Sequence, residues 1–542
     1  MYIICIRMSS IIDIKDSESQ DEVISLITII ENEIICDKSL YSFPQDEERE
    51  MKFGIVKINT DVLPKLNKTL YFLFSVDCSG SMSDLCNDRR TKNAHIIHTL
   101  TNMLLFFSEK ENICIYVEID AFDDKIWPII KPVLVSPRNV GELIDQLKKI
   151  YPKNSTNIEL ALTNASTRIN SAEETIPSCE KYHIFMTDGD ITEGNSCEIY
   201  LKTLLNLKAT NIFIGFGIDH NIKVLSELGG GNDTTSNVNN YYFIDLLENS
   251  GLVYGEIIHN ILYGSLKNVK LVIINGLIYN WKTNEWTNTL NIGNVIFNTE
   301  KVYHIVSDVL TPIISASGNI EGEPFSCTQY TTDTDESLSK SITQYKYRQR
   351  TQQLLYLARH FNNYKNYEAI DAMKKKLDDF FTELKTNKDI DSPFMKLLMD
   401  DVYITRKMFG TSYNSLYSNA RQTSQGTQRC YNVGDNSTIG IKVPRISRHI
   451  THHMVDDGAW RRSTHHYNKI YDEEEDAEHK DGLDQLDQLD GLIDGYEISQ
   501  NVDTPYSTPA LLGIMREISA PISHKPYFFK DDDYLTMKHT TA

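Results

Sequence analysis

The sequence predicts an α/β protein whose main domain contains a doubly wound, mainly parallel sheet. Two apolar runs, at residues 71–76 and 182–186, end abruptly in loops that carry an acidic residue and a glycine. Such runs are typical of strands that are buried on both faces. Segments with helical spacing of apolar residues alternate with the strands, and this alternation indicates a parallel sheet covered by helices.

The elements of the main domain, residues 68–265, follow from the same patterns. After the first strand, a helix has its apolar residues on one face: Ala94, Ile97, Leu100, Leu104 and Phe107. A strand over 113–122 comes next, and residues 127–135 are typical of an edge strand because their prolines cannot donate ladder hydrogen bonds. Further helices are predicted at 140–150, 158–169 and 199–207 and around Leu225, and further strands at 212–218 and 241–246.

The loop after the first strand places three oxygen-bearing side chains at alternate positions, Asp77, Ser79 and Ser81. Gly80 lets the backbone fold tightly around a bound group. Carboxylate and hydroxyl oxygens suit Mg²⁺ or a similar hard cation. Taken alone, however, the segment fits a solvated turn of Asp, Ser and Gly equally well.

Two further residues are predicted to reach the same edge of the sheet. Thr156 lies in the polar loop 154–157, which precedes a helix, and Asp188 directly follows the second apolar strand. Because the carboxyl ends of parallel strands meet at one edge, we expect these oxygens to lie near those of the first loop. The sequence therefore predicts a site built from five oxygen-bearing residues.

In their order, these residues resemble the metal-ion-dependent adhesion site (MIDAS) of von Willebrand factor A (vWA) domains, which have a Rossmann-like fold. The resemblance covers residues 68–265 and is to the intracellular, multidomain members of the family. It implies that the hydroxyls of Ser79, Ser81 and Thr156 ligate the metal directly or through water. It implies that Asp77 and Asp188 support the metal largely through water, and that a partner's carboxylate completes the shell.

The resemblance also implies a cofactor and a partner. The cofactor is Mg²⁺, with Mn²⁺ as the alternative, and the partner is a protein that offers an Asp or Glu. In the family, the loop before the threonine often carries glycines, whereas Asn154 and Ser155 stand here. A degenerate domain that binds its partners without metal is the alternative.

The main domain is predicted to have flanking units. Short strands with Asn-Gly and Thr-Asn turns indicate an antiparallel β-sandwich over 266–330, which strands from the N-terminal segment, residues 1–67, are expected to complete. Residues 338–421 are predicted to form a small helical bundle. In that bundle, Ser392 and Pro393 are expected to begin one helix and Gly410 to end it.

Residues 422–542 are predicted to form a low-complexity, largely disordered acidic tail. Sustained periodicity is lost there, the acidic run 472–476 follows, and leucines recur every three residues over 483–492. Residues 449–466 contain a histidine cluster, for which a zinc site is a minor alternative. Residues 505–512 are a hypothetical docking or phosphorylation motif.

The composition limits which cellular locations and which classes of partner are expected. The net charge of −21 argues against general nucleic-acid binding, and no apolar segment is long enough to span a membrane. Nine dispersed cysteines without a C-x-x-C pair favour a reducing compartment over a zinc cage. We therefore expect a cytoplasmic protein, although many vWA proteins are extracellular.

Three classes of function compete at this stage. The favoured one is a metal-dependent protein-binding module without enzymatic activity. A second is a ubiquitin-ligase-like adaptor without its own RING, since paired zinc ligands are lacking in the sequence. The third is a Mg²⁺-dependent phosphatase that uses Asp77, but such chemistry needs a second aspartate where Ser79 stands. The chain has no G-x-x-x-x-G-K-[ST] loop, and His183 is expected in the core.

Overall fold

The computed structural model describes most of the chain up to residue 430 and one later segment. The described residues are 2–3, 24–35, 50–64, 67–86, 88–176, 178–217, 220–230, 238–244, 250–329, 339–363, 366–387, 392–411, 413–430, 504 and 506–520. The acidic run, the leucine repeat and the histidine cluster lie outside them.

The described residues contain sixteen strands. They are β1 (Tyr2–Ile3), β2 (Ser25–Ile34), β3 (Lys52–Asn59), β4 (Thr69–Asp77), β5 (Cys114–Phe122), β6 (Ile126–Leu134), β7 (Glu180–Thr187), β8 (Thr210–Phe216), β9 (Tyr241–Ile244), β10 (Gly264–Ile274), β11 (Gly276–Asn280), β12 (Glu285–Thr287), β13 (Thr289–Ile296), β14 (Lys301–Ser307), β15 (Ile313–Ile320) and β16 (Glu323–Gln329).

The same part of the chain contains eleven α-helices. They are α1 (Lys92–Ser108), α2 (Val140–Leu147), α3 (Ile158–Thr175), α4 (Glu198–Thr203), α5 (Ile222–Leu228), α6 (Ser250–Leu262), α7 (Ser339–Arg359), α8 (Tyr367–Lys385), α9 (Pro393–Met408), α10 (Asn414–Thr427) and α11 (Pro509–Ser519). Among the described residues, no helix is both long and apolar enough to cross a membrane.

The central sheet has the strand order β6-β5-β4-β7-β8-β9. All neighbouring strands pair in parallel except β6, which runs antiparallel to β5 at the edge. The order moves outward from β4 in both directions, so β4 and β7 meet at the point where the strand order reverses. The prediction of a doubly wound, mainly parallel sheet is confirmed.

Both faces of this sheet are covered, as the continuous apolar pattern of β4 requires. On one face, Tyr71 and Leu73 pack against Ala165 and Ile169 of α3. On the other, the ring of Phe72 stacks on Phe107 of α1, with ring centroids 5.0 Å apart. Alternate residues of β4 thus pack against helices on opposite faces of the sheet. The carboxyl ends of the parallel strands lie at one edge of it.

A β-sandwich lies beside the main domain. One sheet has the order β1-β2-β3-β14-β11-β12 and the other the order β13-β10-β15-β16. Leu26 and Val56 of the first sheet belong to the same buried cluster as Leu271 and Ile314 of the second. The N-terminal strands β2 and β3 therefore form part of this core. Strands β15 and β16 were not predicted from the sequence pattern.

The helical bundle of α7 to α10 packs on the outer face of the first sandwich sheet, where Ile342 joins a cluster with Phe53 and Trp281. Ser392 caps α9 by accepting a hydrogen bond from the Met395 N–H, and Pro393 is its first residue. Gly410, two residues after α9, has φ 86°, a conformation that favours glycine. Both predicted ends of this helix are confirmed.

The prediction of a tail from residue 422 onward is wrong at two places. Helix α10 continues to Thr427, and all its residues from 416 to 426 are buried. Residues 504 and 506–520, here called the C-terminal strap, include α11, which packs against α1 and α6. Four apolar residues of α11 are buried: Leu511, Ile514, Met515 and Ile518. Their three-and-four spacing, after the cap Thr508 and Pro509, is an ordinary helix signal.

Candidate metal centre

Asp77 is the last residue of β4, and its side chain is fully buried at the carboxyl edge of the sheet. One carboxylate oxygen accepts a hydrogen bond from the Ser79 N–H at 2.7 Å. The other accepts from the Thr187 hydroxyl, at the end of the neighbouring strand β7, at 2.5 Å. The carboxylate therefore fixes the loop after β4 to the end of the adjacent strand.

The two serines of the first loop contact each other, and Ser81 also contacts Asp188. Ser79 Oγ and Ser81 Oγ are 3.1 Å apart, and the Ser81 hydroxyl donates to Asp188 Oδ1 at 2.7 Å. A short 3-10 turn over Gly80–Ser83 holds this loop. Asp77, Ser79, Ser81 and Asp188 are therefore brought together, as predicted.

Thr156 approaches from the loop before α3. Asn157 performs the helix capping by accepting from the Leu160 N–H, so the Thr156 hydroxyl is not needed for it. A Cβ placed on Gly189 would lie 3.5 Å from Thr156 Oγ1 and 3.6 Å from Ser81 Oγ. Both hydroxyls thus lie beside the same glycine, and the fifth predicted residue joins the other four.

Asn154 adopts a backbone conformation at which glycine is otherwise favoured. It has φ 57°, in the left-handed region that asparagine tolerates better than most residues. Its carbonyl accepts from the Gly80 N–H at 3.1 Å, and its amide donates to Asp123 Oδ2 at 3.0 Å. The asparagine therefore supplies both the backbone conformation and a direct link to the first loop.

Lys92 is a further charged residue at this edge that was not predicted from the sequence. It is the first residue of α1, and its ammonium lies 2.5 Å from Asp188 Oδ2. The Asp188 side chain is fully buried, and that of Lys92 is 16% exposed. A lysine in the first turn of a helix opposes the helix dipole, and that was the available signal.

Burial and neighbouring charges shift the pKa values of Asp77 and Lys92. Burial, and secondly the charge of Asp188, raise the pKa of Asp77 to about 7, although its hydrogen bonds act in the opposite direction. Burial lowers the pKa of Lys92, but its contacts with Asp188 and Asp84 outweigh that effect, so its pKa lies above the ordinary value. The Lys92 ammonium is thus paired with Asp188, and Asp77 is held by hydrogen bonds from Thr187 and Ser79.

These residues fit a hard divalent cation. Two carboxylates and three hydroxyls are oxygen donors of the kind that Mg²⁺ and Mn²⁺ prefer. The hydroxyls of Thr156 and Ser81 both lie beside Gly189, and the Lys92 ammonium shows that a cation is accommodated next to Asp188. Among the described residues, no group of three or more His, Cys, Asp or Glu could hold a metal. A metal at this edge would therefore depend on the hydroxyls.

His183 lies in the core, as expected. Its Nε2 is 2.9 Å from Ser75 Oγ and its Nδ1 is 3.0 Å from Asn211 Oδ1. Because the amide oxygen only accepts, Nδ1 donates to it and Nε2 accepts from the serine. Burial lowers the pKa of His183 to about 4, so the ring is neutral. The side chains of Ser75 and His183 are 2% and 1% exposed, which leaves a substrate no access to them.

Comparison with models of protein families and comparison with curated protein sequences gave no match. Among solved structures, the chain is similar to a von Willebrand factor type A protein from Catenulispora acidiphila. That likeness has 13% identity and a TM-score of 0.42, and covers 73% of this chain and 90% of the other. It is also similar to VWA2, an ArnB paralog from Sulfolobus acidocaldarius, with 13% identity and a TM-score of 0.41, over 75% of this chain and 99% of that one.

A third similar structure is the proximal thread matrix protein 1 from the mussel byssus, with a zinc-occupied MIDAS motif. Here the identity is 15% and the TM-score 0.25, and the alignment covers 36% of this chain and 44% of the other. The first two of these neighbours are thus vWA structures, and all three likenesses are at low identity. The evidence for the α/β fold class is the strand order of the central sheet.

Proposed function

We propose that this chain is a vWA-type protein-binding module that uses a MIDAS. In this proposal, Ser79, Ser81 and Thr156 supply hydroxyl ligands to Mg²⁺ or Mn²⁺, and Asp77 and Asp188 hold the hydroxyls and balance the charge. The bound ion would supply a coordination position for an Asp or Glu of a partner protein. The cytoplasmic location expected from the cysteines belongs to the same proposal.

One observation carries the proposal, namely the convergence of five oxygen-bearing residues from three loops at one edge of the sheet. Asp77 binds Thr187 and Ser79, Ser81 binds Asp188, and Thr156 lies beside Gly189 with Ser81. A turn that needed only its shape would not require a hydroxyl from Thr156, which lies on a distant loop of the chain. The arrangement supports a binding role for the oxygens.

The donor set also indicates what the site would attract. Three of the five donors are neutral hydroxyls, so a divalent ion held there keeps excess positive charge. A carboxylate from outside could neutralise that charge and fill a ligand position. No group placed to act as nucleophile or general base is needed for this role, so we propose a non-enzymatic function.

Metal-dependent capture of a carboxylate is the direct test. Full-length wild type and Asp77→Ala are titrated with Mg²⁺ and Mn²⁺ by calorimetry. Both are then presented with immobilised peptides that contain a single Asp or Glu, each matched by its Asn or Gln counterpart. We expect retention of acidic peptides by the wild type with metal, and its loss with EDTA, with Asp77→Ala or with the amide peptides. Retention that is unchanged under all three conditions would contradict the proposal.

Divalent-ion binding is expected to tighten as the pH rises toward about 7 and to change little above it. In the folded, metal-free protein the pKa of Asp77 is raised to about 7, above its value in an unfolded chain. The protonated carboxyl therefore stabilises that fold, and this contribution is lost as the pH rises through about 7. Because a metal must displace the proton, protons compete with it at lower pH.

Calorimetric titration with Mg²⁺ across this pH range measures the effect. Repeating it in buffers of different ionisation enthalpy counts the protons that binding releases. An affinity that does not vary with pH, together with no proton release, would show that Asp77 does not titrate with the metal.

A further inference from the structure

Lys92 is placed where it can act on the candidate metal centre. Its ammonium contacts Asp188 Oδ2, while Ser81 uses Asp188 Oδ1. Both oxygens of a fully buried carboxylate are therefore engaged by groups at the site. Asp84, the second acid near Lys92, lies 3.5 Å away and its side chain is 64% exposed, so solvent weakens that contact.

The position of Lys92 is not explained by the helix that carries it. Thr91 caps α1 by accepting from the Ala94 N–H, so the lysine is not required for the helix to begin. Its positive charge at the amino end of the helix is unfavourable. The ion pair with Asp188 is the interaction that compensates for this placement, and it ties the start of α1 to the loop after β7.

We propose that Lys92 is an internal counter-cation that competes with the divalent ion for Asp188 and thereby sets the metal affinity of the site. This inference rests on the proposed function. In the metal-free protein Lys92 neutralises the buried carboxylate. When the ion binds, the ammonium is repelled and gives up Asp188, so metal binding must overcome this internal ion pair.

Replacing the lysine should therefore strengthen metal binding while weakening the metal-free fold. Lys92→Met keeps an unbranched side chain of similar length without the charge. We expect it to bind Mg²⁺ on the order of tenfold or more tightly than the wild type. In EDTA we expect a lower Tm than the wild type, because Asp188 keeps its burial without its cation, and a larger rise in Tm on adding Mg²⁺.

Three other variants complete the test. Lys131→Met removes the same charge at an exposed position on the edge strand β6 and should leave both properties unchanged. Lys92→Arg, which keeps the charge, should retain weak metal binding. Should Lys92→Met fail to fold, Lys92→Gln removes the charge but leaves a donor for Asp188, and it should also bind Mg²⁺ more tightly.

The outcomes separate the two proposals. Mg²⁺ binding that is equal in the wild type and in Lys92→Met or Lys92→Gln would overturn the role of Lys92 alone. Tighter binding in Lys92→Met together with a lower Tm in EDTA would support it. No binding of Mg²⁺ or Mn²⁺ by any variant would overturn the proposed metal site, and the competition with it.

Discussion

Replacing Asp401 by alanine is expected to lower the free energy of unfolding by about 3–5 kcal/mol, as removal of one member of a buried ion pair usually does. Asp401 of α9 and Arg421 of α10 are fully buried, and their side chains are 2.8 Å apart. Gln425 also donates to Asp401, at 2.6 Å. The alanine removes the carboxylate that balances a buried guanidinium, and with it a polar link between two helices of the bundle.

Urea unfolding followed by tryptophan fluorescence measures this loss, since Trp281 is buried where α10 meets the sandwich and its carbonyl accepts from Gln422. A double-mutant cycle with Arg421→Met should show that the double variant is more stable than the sum of the two single losses predicts. Glu383→Ala is the matched control, because its pair with Arg350 is more exposed and should contribute less than about 1 kcal/mol. Equal losses of unfolding free energy for Asp401→Ala and Glu383→Ala would contradict the larger contribution expected of the buried pair.

The candidate centre could be predicted from sequence to the extent that its residues mark the ends of regular elements. Asp77 and Asp188 end long apolar strands, and parallel pairing of β4 with β7 brings these ends together. Thr156 precedes a helix with a clear apolar face. Each position follows from local periodicity and from the rule that parallel strands share a carboxyl edge.

The remaining features depend on packing between distant parts of the chain. Lys92 looks like an ordinary surface lysine until the loop after β7 is placed against the start of α1. Strands β15 and β16 contain serines, glycine and threonine that weaken the alternating pattern, and their place is set by pairing with β10. The C-terminal strap is separated by more than 70 residues from the end of α10. No local pattern indicates which surface it covers.

Gly255→Leu is expected to displace α11 from the surface of α6 that it covers, with an effect comparable in size to that of Asp401→Ala. Helix α11 crosses α6 so closely that a Cβ on Gly255 would lie 2.5 Å from Met515 Cα, and one on Gly251 2.7 Å from Ser519 Cα. These are backbone atoms, which cannot move aside as a flexible side chain can. Undocking would expose four apolar side chains, each worth about 1.5–3 kcal/mol when fully buried.

Intrinsic helix propensity alone predicts that Gly255→Leu stabilises α6. The test therefore distinguishes a lost contact between helices from a weakened α6. Leucine favours a helix interior over glycine by about 0.8–1 kcal/mol, so α6 itself should be more stable in the variant. Loss of amide-exchange protection in 509–519, with protection of α6 itself retained, would therefore report the lost contact between helices. Gly513→Leu, on α11 with no atom within 4 Å of its Cβ, is the control and should keep or increase that protection.

Undocking of α11 should also affect α1, the helix that carries Lys92, because Asn102 of α1 binds the end of α11. The Asn102 amide donates to the carbonyls of Ile518 at 2.7 Å and Ala520 at 2.9 Å, at the end of α11. In Gly255→Leu these bonds are lost, so we expect faster amide exchange in the middle of α1 as well. Since an 11-residue helix is only marginally stable alone in water, full protection of 509–519 in Gly255→Leu would mean that α11 does not depend on its contact with α6.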